Sequence, residues 1–246
     1  MSKIKAGDVF PTNEGGMFVV VEYVNRKEII IRHLDEYGYT HAVHGSNIVS
    51  GGIRNPYFPS FYYVGHIGIG EYKITENGKM TSAYATWSGM MKRVYHEDTM
   101  HKNPTYSDAS VSKEWHCYQD FAEWFYKQPN AGRKGFAIDK DLLVLGNKVY
   151  GSDFCTFVPQ AVNSLLTDHR SARGKYPQGV SLSNGRYQAE VSIDGKTKHL
   201  GKYSTPEEAH EVYKKAKAEQ VRVVANRYKD VLHPTVYENL ITWELK

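Results

Sequence analysis

The chain has only two cysteines, Cys117 and Cys155, and no Cys-x-x-Cys pair. A disulfide framework and a cysteine-based zinc knuckle are therefore excluded, and packing must hold the cores together. No long uninterrupted apolar run occurs either, so no window reads as a membrane span. The opening MSKIKAGDVF lacks the apolar stretch that a secretory leader needs. These absences predict a reducing, cytoplasmic setting and no membrane partner. Charge of one sign is scarce as well, since 31 Lys+Arg against 27 Asp+Glu leave a formal +4. What is plentiful is tyrosine, with 19 scattered along 246 residues. That distribution suits several small, half-exposed cores better than one large one, and the length is comfortable for two or three domains.

The expected architecture is α+β. A small β-rich domain with its connector spans 1–70, a central helical and ββα segment 71–169, and a sheet-plus-helix module 170–246. In the first, Val19–Val24 and Glu28–Arg32 are β-branched runs separated by the polar turn Asn25-Arg26-Lys27. A third strand is predicted near Thr40–Val43 and a leading strand at Gly7–Phe10, as a small barrel or sheet. His41 and His44 resemble a metal pair by spacing, but an alternating strand points them to opposite faces. Residues 55–70 are rich in Gly, Pro and aromatics and read as an irregular connector. Beyond them Trp87, Met90, Met91, Val94 and Tyr95 recur at helical spacing, as do Phe121, Trp124 and Phe125 within Cys117–Lys127. Both stripes are expected to be core-facing.

Residues 136–166, FAIDKDLLVLGNKVYGSDFCTFVPQAVNSLL, carry the acidic groups suited to chemistry. The spacing predicts a strand bearing Asp139 and Asp141 on one face with Lys140 on the other. A Gly146-Asn147 turn, a second short strand at Lys148–Tyr150 and a helix from about Pro159 should follow.

The last seventy residues are the most legible. Asn184-Gly185 and Asp194-Gly195 are two-residue hairpin signals, because the favoured turns need positive φ at both central positions. Between them Tyr187, Ala189, Val191 and Ile193 alternate with Gln188, Glu190 and Ser192. Thr205-Pro206-Glu207-Glu208 combines an N-cap, a first-turn proline and a capping-box glutamate. Ala209, Val212, Tyr213 and Ala216 then supply an apolar stripe to cover the sheet. The basic surplus sits here too, with 14 Lys+Arg against 9 Asp+Glu in residues 170–246.

This C-terminal segment resembles the plant ethylene-response-factor (APETALA-type) DNA-binding domain. The matching residues are Gly179-Val180, Tyr187–Val191, Leu200–Tyr203, and Thr205–Ala209 with Tyr213. The resemblance implies that the exposed sheet face enters the major groove, and that double-stranded DNA is the partner. The reading face it implies comprises Ser181, Ser183, Gln188, Glu190, Ser192, Thr197 and His199, with Arg186, Lys196, Lys198 and Lys202 gripping phosphates. At several of these sites the plant domains carry arginine or tryptophan, where this chain has serine, threonine and histidine.

The wider chain, from about residue 55, is similar to phage HNH homing-endonuclease-like proteins. The resemblance rests on Trp87…Met90…Arg93…Tyr95, Pro104-Thr105-Tyr106, Trp115…Phe121…Trp124, Ile138–Asp141, Gly146-Asn147-Lys148, Tyr150, and Cys155…Phe157-Val158…Asn163. It implies a metal-dependent endonuclease acting in the cytoplasm of an infected host. Mg²⁺ or another divalent cation would be held by Asp139 or Asp141 on the strand and Asn163 on the helix. Where that family carries its histidine base, Lys140 or Leu142 stands here. The base is then Asp139 or Asp141 through a bound water, or one of His96, His101 and His169. Lys140 would bind phosphate or stabilise developing charge. The alternative is a catalytically inactive, HNH-derived DNA-binding regulator.

Overall fold

The structure, a computed structural model, describes residues 3–102, 108–166, 175–193 and 195–245. Pro104-Thr105-Tyr106, His169, Arg170 and Asp194 lie outside the described residues, as does the side chain of His101. The fold is α+β. The chain divides into two compact units, Met1–Lys127 and Gln128–Lys246.

In the first unit, β1 (Val9–Pro11), β2 (Met17–Asn25), β3 (Glu28–His33) and β4 (Thr40–Val43) form an antiparallel sheet in sequence order. Alternation directs Phe18, Val20, Ile29, Ile31 and Val43 to one face, where Ile48 and Ile53 close the core. Helix α1 (Gly45–Ser50) is capped by His44, whose Nδ1 accepts from the Ser46 N–H at 3.2 Å, whereas His41 sits opposite Ile31. The strands β5 (Thr75–Glu76) and β6 (Lys79–Met80) form a hairpin leading into α2 (Ser82–Tyr95). Next come α3 (Glu97–Lys102), the two-residue β7 (Ser110–Val111), a 3-10 turn at Lys113–His116 and α4 (Tyr118–Lys127). The predicted stripes are core: Trp87, Met90, Met91, Phe121 and Phe125 are at most 1 % exposed, with Trp115 and Tyr118 beside them. The one polar atom of Trp87 is satisfied there, since its Nε1–H donates to the Trp115 carbonyl at 2.8 Å.

In the second unit, β8 (Phe136–Asp139) pairs antiparallel with β10 (Thr156–Pro159), and a single helical turn, α5 (Gln160–Asn163), follows. The expected partner Lys148–Tyr150 contributes only the two-residue β9 (Val149–Tyr150), which does not pair with β8. Three strands, β11 (Val180–Ser183), β12 (Arg186–Ile193) and β13 (Lys196–Tyr203), form the C-terminal sheet. Asn184 and Gly185 both have positive φ, 52° and 74°, as the first hairpin requires. The capping box at the start of α6 (Pro206–Arg227) is formed in full, with the Thr205 hydroxyl accepting from the Glu208 N–H and the Glu208 carboxylate from the Thr205 N–H.

Helix α6 explains where the boundary falls. Its first half covers the sheet through Ala209 and Tyr213, the latter so close that a Cβ on Gly179 would lie 2.0 Å from the Tyr213 ring. Its second half buries Val221, Val224 and Ala225 against Leu142, Val158, Val162 and Leu165, joined by Leu232, just past a 3-10 turn at Lys229–Val231, and by Val236 and Leu240 of α7 (Pro234–Ile241). One 22-residue helix thus belongs to both the sheet and the β8–β10–α5 core.

Candidate functional site: a sheet face and the Asp139 cluster

The C-terminal sheet has one face under α6 and one face free of it. Ala189 and Val191, 0 % and 2 % exposed, point to the helix. Cross-strand partners share a face, so the register fixes the outward set. Ser181 pairs with Gln188 and Ser183 with Arg186; Gln188 pairs with Lys202, Glu190 with His199 and Ser192 with Thr197. The parity change between His199 and Lys202 comes from a bulge at Ala189/Glu190, which leaves Leu200 as the extra residue beside Gly201. Ser181, Arg186, Ser192, Thr197, His199 and Lys202 are exposed, whereas Ser183, Gln188 and Glu190 are half-buried.

Two expected contacts fall elsewhere. Lys196 pairs with Ile193 and Lys198 with Val191, so both are exposed on the helix side of the sheet rather than on the face bearing His199. Gln188 is also engaged, its amide donating to the Glu190 carboxylate at 2.5 Å. The outward face therefore presents Arg186 and Lys202 as fixed cations, Glu190 as one anion, and hydroxyl, amide and imidazole groups otherwise.

The acidic cluster departs further from its predicted geometry. Strand β8 ends at Asp139, so Asp139 and Asp141 do not share a pleated face. The cause is local: Asp139 Oδ1 accepts from the N–H groups of Asp141 at 3.0 Å and Leu142 at 2.8 Å, and this side-chain turn folds the chain out of the strand. Lys140 is buried, its side chain 8 % exposed, and its Nζ donates to Asp141 Oδ2 at 3.0 Å while lying 5.7 Å from the Tyr150 ring centroid. Asn147, predicted only as a turn residue, fastens this arrangement by donating to the carbonyls of Lys140 and Val149. From α7, Asn239 holds the carbonyls of Leu142 and Leu143 at 2.9 and 3.1 Å. Neither amide is recognisable as a partner of this loop from sequence spacing.

Burial raises the Asp139 carboxyl to about 7, with the neighbouring Asp141 charge adding to it. Burial also pushes the Cys155 thiol up to about 12, which keeps it protonated and inert as a nucleophile. Asn163 occupies the last position of α5 and is half-buried.

As arranged, both carboxylates of this cluster are already engaged. One Asp139 oxygen is committed to two backbone donors, and an ammonium already occupies the Asp141 carboxylate. Among the described residues no group of three or more His, Cys, Asp or Glu side chains is gathered as a metal site. What the cluster offers is a proton held near neutrality on Asp139 beside a fixed lysine–aspartate pair. Among the same residues no helix is long and apolar enough to cross a membrane. Compared with known proteins, the chain matches no family model, no curated protein and no solved structure.

Proposed function

We propose that the chain is a duplex-DNA-binding protein that docks the outward face of β11–β13 in a DNA groove, with the β8–β10–α5 core as its scaffold. The observation that carries this reading is the sheet itself. One face is sealed by α6, and the other is left open with Arg186 and Lys202 among short polar side chains. A sheet of this width matches a major groove, and arginine is the side chain best suited to guanine edges. Arg186 is the base-reading candidate, and Lys202 a phosphate contact. Lys196 and Lys198, on the helix side, are assigned at most a flanking phosphate role. The setting implied is the cytoplasm of an infected host.

The test is fluorescence-anisotropy titration of labelled duplexes with the full chain across a salt series. Lys202 with one flanking lysine, about two neutralised phosphates, should give a slope of log affinity against log salt of roughly −1.8. Arg186→Ala should cost about 1–3 kcal/mol on a preferred sequence and much less on random DNA. Salt-independent retention, or none at low salt, would refute the reading.

A second reading is metal-dependent hydrolysis of phosphodiester bonds at the Asp139 cluster, as HNH-like endonucleases perform. It is favoured by the raised Asp139 carboxyl next to Asp141, because perturbed carboxyls gather at functional sites. Incubating supercoiled plasmid with Mg²⁺ separates the two readings. Relaxation or linearisation that Asp139→Ala abolishes supports cleavage, and an intact plasmid that the protein still binds supports the regulator.

A further inference from the structure

The first unit contains a run of imidazole and phenol rings that the DNA-binding reading does not use. On the core face of β3 and β4, His33 lies with its ring centroid 5.4 Å from that of His41, and Tyr39 stacks on His33 at 6.1 Å and meets His41 at a tilt at 4.7 Å. Tyr39 in turn meets Tyr57 of the connector at 6.0 Å, and Tyr57 stacks on Tyr37 at 4.6 Å. His66 packs against both of these, 5.1 Å from Tyr37 and 5.6 Å from Tyr57. The run joins the N-terminal sheet, which supplies His33 and His41, to the connector and to the start of α4, where the backbone of His66 bridges to Cys117. Among the described residues, the Nε2 atoms of His33, His41 and His66 are all buried and lack a hydrogen-bond partner. Polar atoms so placed are uncommon in folded proteins and call for an explanation.

We propose that this seam is an acid-responsive latch: protonation of His33, His41 and His66 releases the four-stranded sheet from the connector that carries Tyr57 and His66. A neutral imidazole tolerates a dry Nε2 at modest cost, whereas an imidazolium in the same place is a buried cation without a partner. Opening the seam hydrates all three at once. Burial holds each of the three below the ordinary histidine value of 6.5, the effect of His33 adding at His41 and that of His116 at His66.

The charges facing the seam do not cancel this. Asp35 and Glu14 face His33, and Glu36 and Asp35 face His66; all three carboxylates are exposed and screened by water. They are also engaged: Asp35 accepts from the Tyr37 and Gly38 N–H groups and from the Asn55 amide, Glu14 from the Asn55 N–H, and Glu36 pairs with Lys113 at 3.4 Å. His116, on the far side, is pushed down by burial and by the Lys113 charge, and its Nε2 is 3.2 Å from the Tyr95 hydroxyl. The sign follows directly. A histidine held low in the fold contributes stability above its ordinary value, and that contribution is lost as pH falls below 6.5.

Hydrogen-exchange mass spectrometry of the full chain tests this, with protection corrected for the intrinsic exchange rate at each pH. Protection of peptides spanning β3 and β4 should fall at least ten-fold between pH 7.5 and 5.5. In the triple variant His33→Gln/His41→Gln/His66→Gln, which cannot protonate at these sites, the fall should vanish. Protection that is constant with pH in the parent chain, or an equal fall in the variant, would overturn the proposal. Should the variant fail to fold, NMR titration of the parent histidines decides: midpoints below 6.5 at all three support the latch, and midpoints at or above 6.5 sink it.

Discussion

At the scale of single residues, Asp139 carries two roles that pull against each other. Its carboxyl closes the turn that ends β8, yet the site where it does so is dry enough to hold the proton until about pH 7. The fold binds that proton more tightly than the unfolded chain does, so the associated stability is complete below the ordinary value near 4 and is lost as pH rises through 7. Asp139→Asn keeps an acceptor for both N–H groups and removes the titration. The variant should therefore be about 4 kcal/mol more stable than the parent at pH 8 and equal to it near pH 4, read from urea unfolding at several pH values. Equal stabilities at pH 8 would argue against the burial account. Gly179 is the other decisive residue, with φ at +76° and no room for a Cβ beside Tyr213. Gly179→Ala should cost about 2–3 kcal/mol by loosening the sheet on its helix, read from urea unfolding.

Secondary-structure elements differ in how much of them local sequence decides. The Asn184-Gly185 turn, the alternation of β12 and the Thr205–Glu208 capping box were all legible, because each depends on residues within a few positions of one another. Thr205→Ala should accordingly cost about 1 kcal/mol, measured as a shift in the unfolding midpoint. Segment 136–166 was legible only in outline. Its strand stops at Asp139 because that side chain competes with the ladder for the N–H groups of Asp141 and Leu142, and its true partner begins at Thr156, beyond the nearer Lys148–Tyr150 stretch. The placement of Lys196 and Lys198 was hidden for a similar reason. A bulge resets the parity of β13, and no local pattern announces which residue will be extra. The reach of α6 past the sheet was the largest omission, since Val221, Val224 and Ala225 find partners as far upstream as Leu142 and Val158, besides Leu232, Val236 and Leu240 downstream. A fragment starting at Lys175 should consequently melt without a sharp transition, whereas Gln128–Lys246 should unfold cooperatively; circular-dichroism melts of the two would show it.

For the molecule as a whole, acid should act on the two units in opposite directions. Lowering pH from 8 to 5 protonates Asp139, which favours the fold of the second unit. The same change charges His33, His41 and His66, which disfavours the fold of the first. Trp87, Trp115 and Trp124 all lie in the first unit and Trp243 in the second, so Trp243→Phe leaves a fluorescence signal from the first alone. In that variant the urea midpoint followed by fluorescence should drop on acidification, while protection of Val221–Ala225 in hydrogen exchange rises. Parallel movement of the two would contradict the assignments of burial made for these groups.

Helix α6 is about 33 Å long, and neither of its halves is spare. That has a bearing on how such a protein can be inherited. A crossover placed just ahead of the sheet would deliver a recipient half of a second core with nothing to fill it. A crossover near residue 128 would deliver a complete body. Shuffling between genes should therefore move the sheet and the β8–β10–α5 segment as one cassette, and lineages in which they travel separately should have shortened the helix or repainted its second half with polar residues.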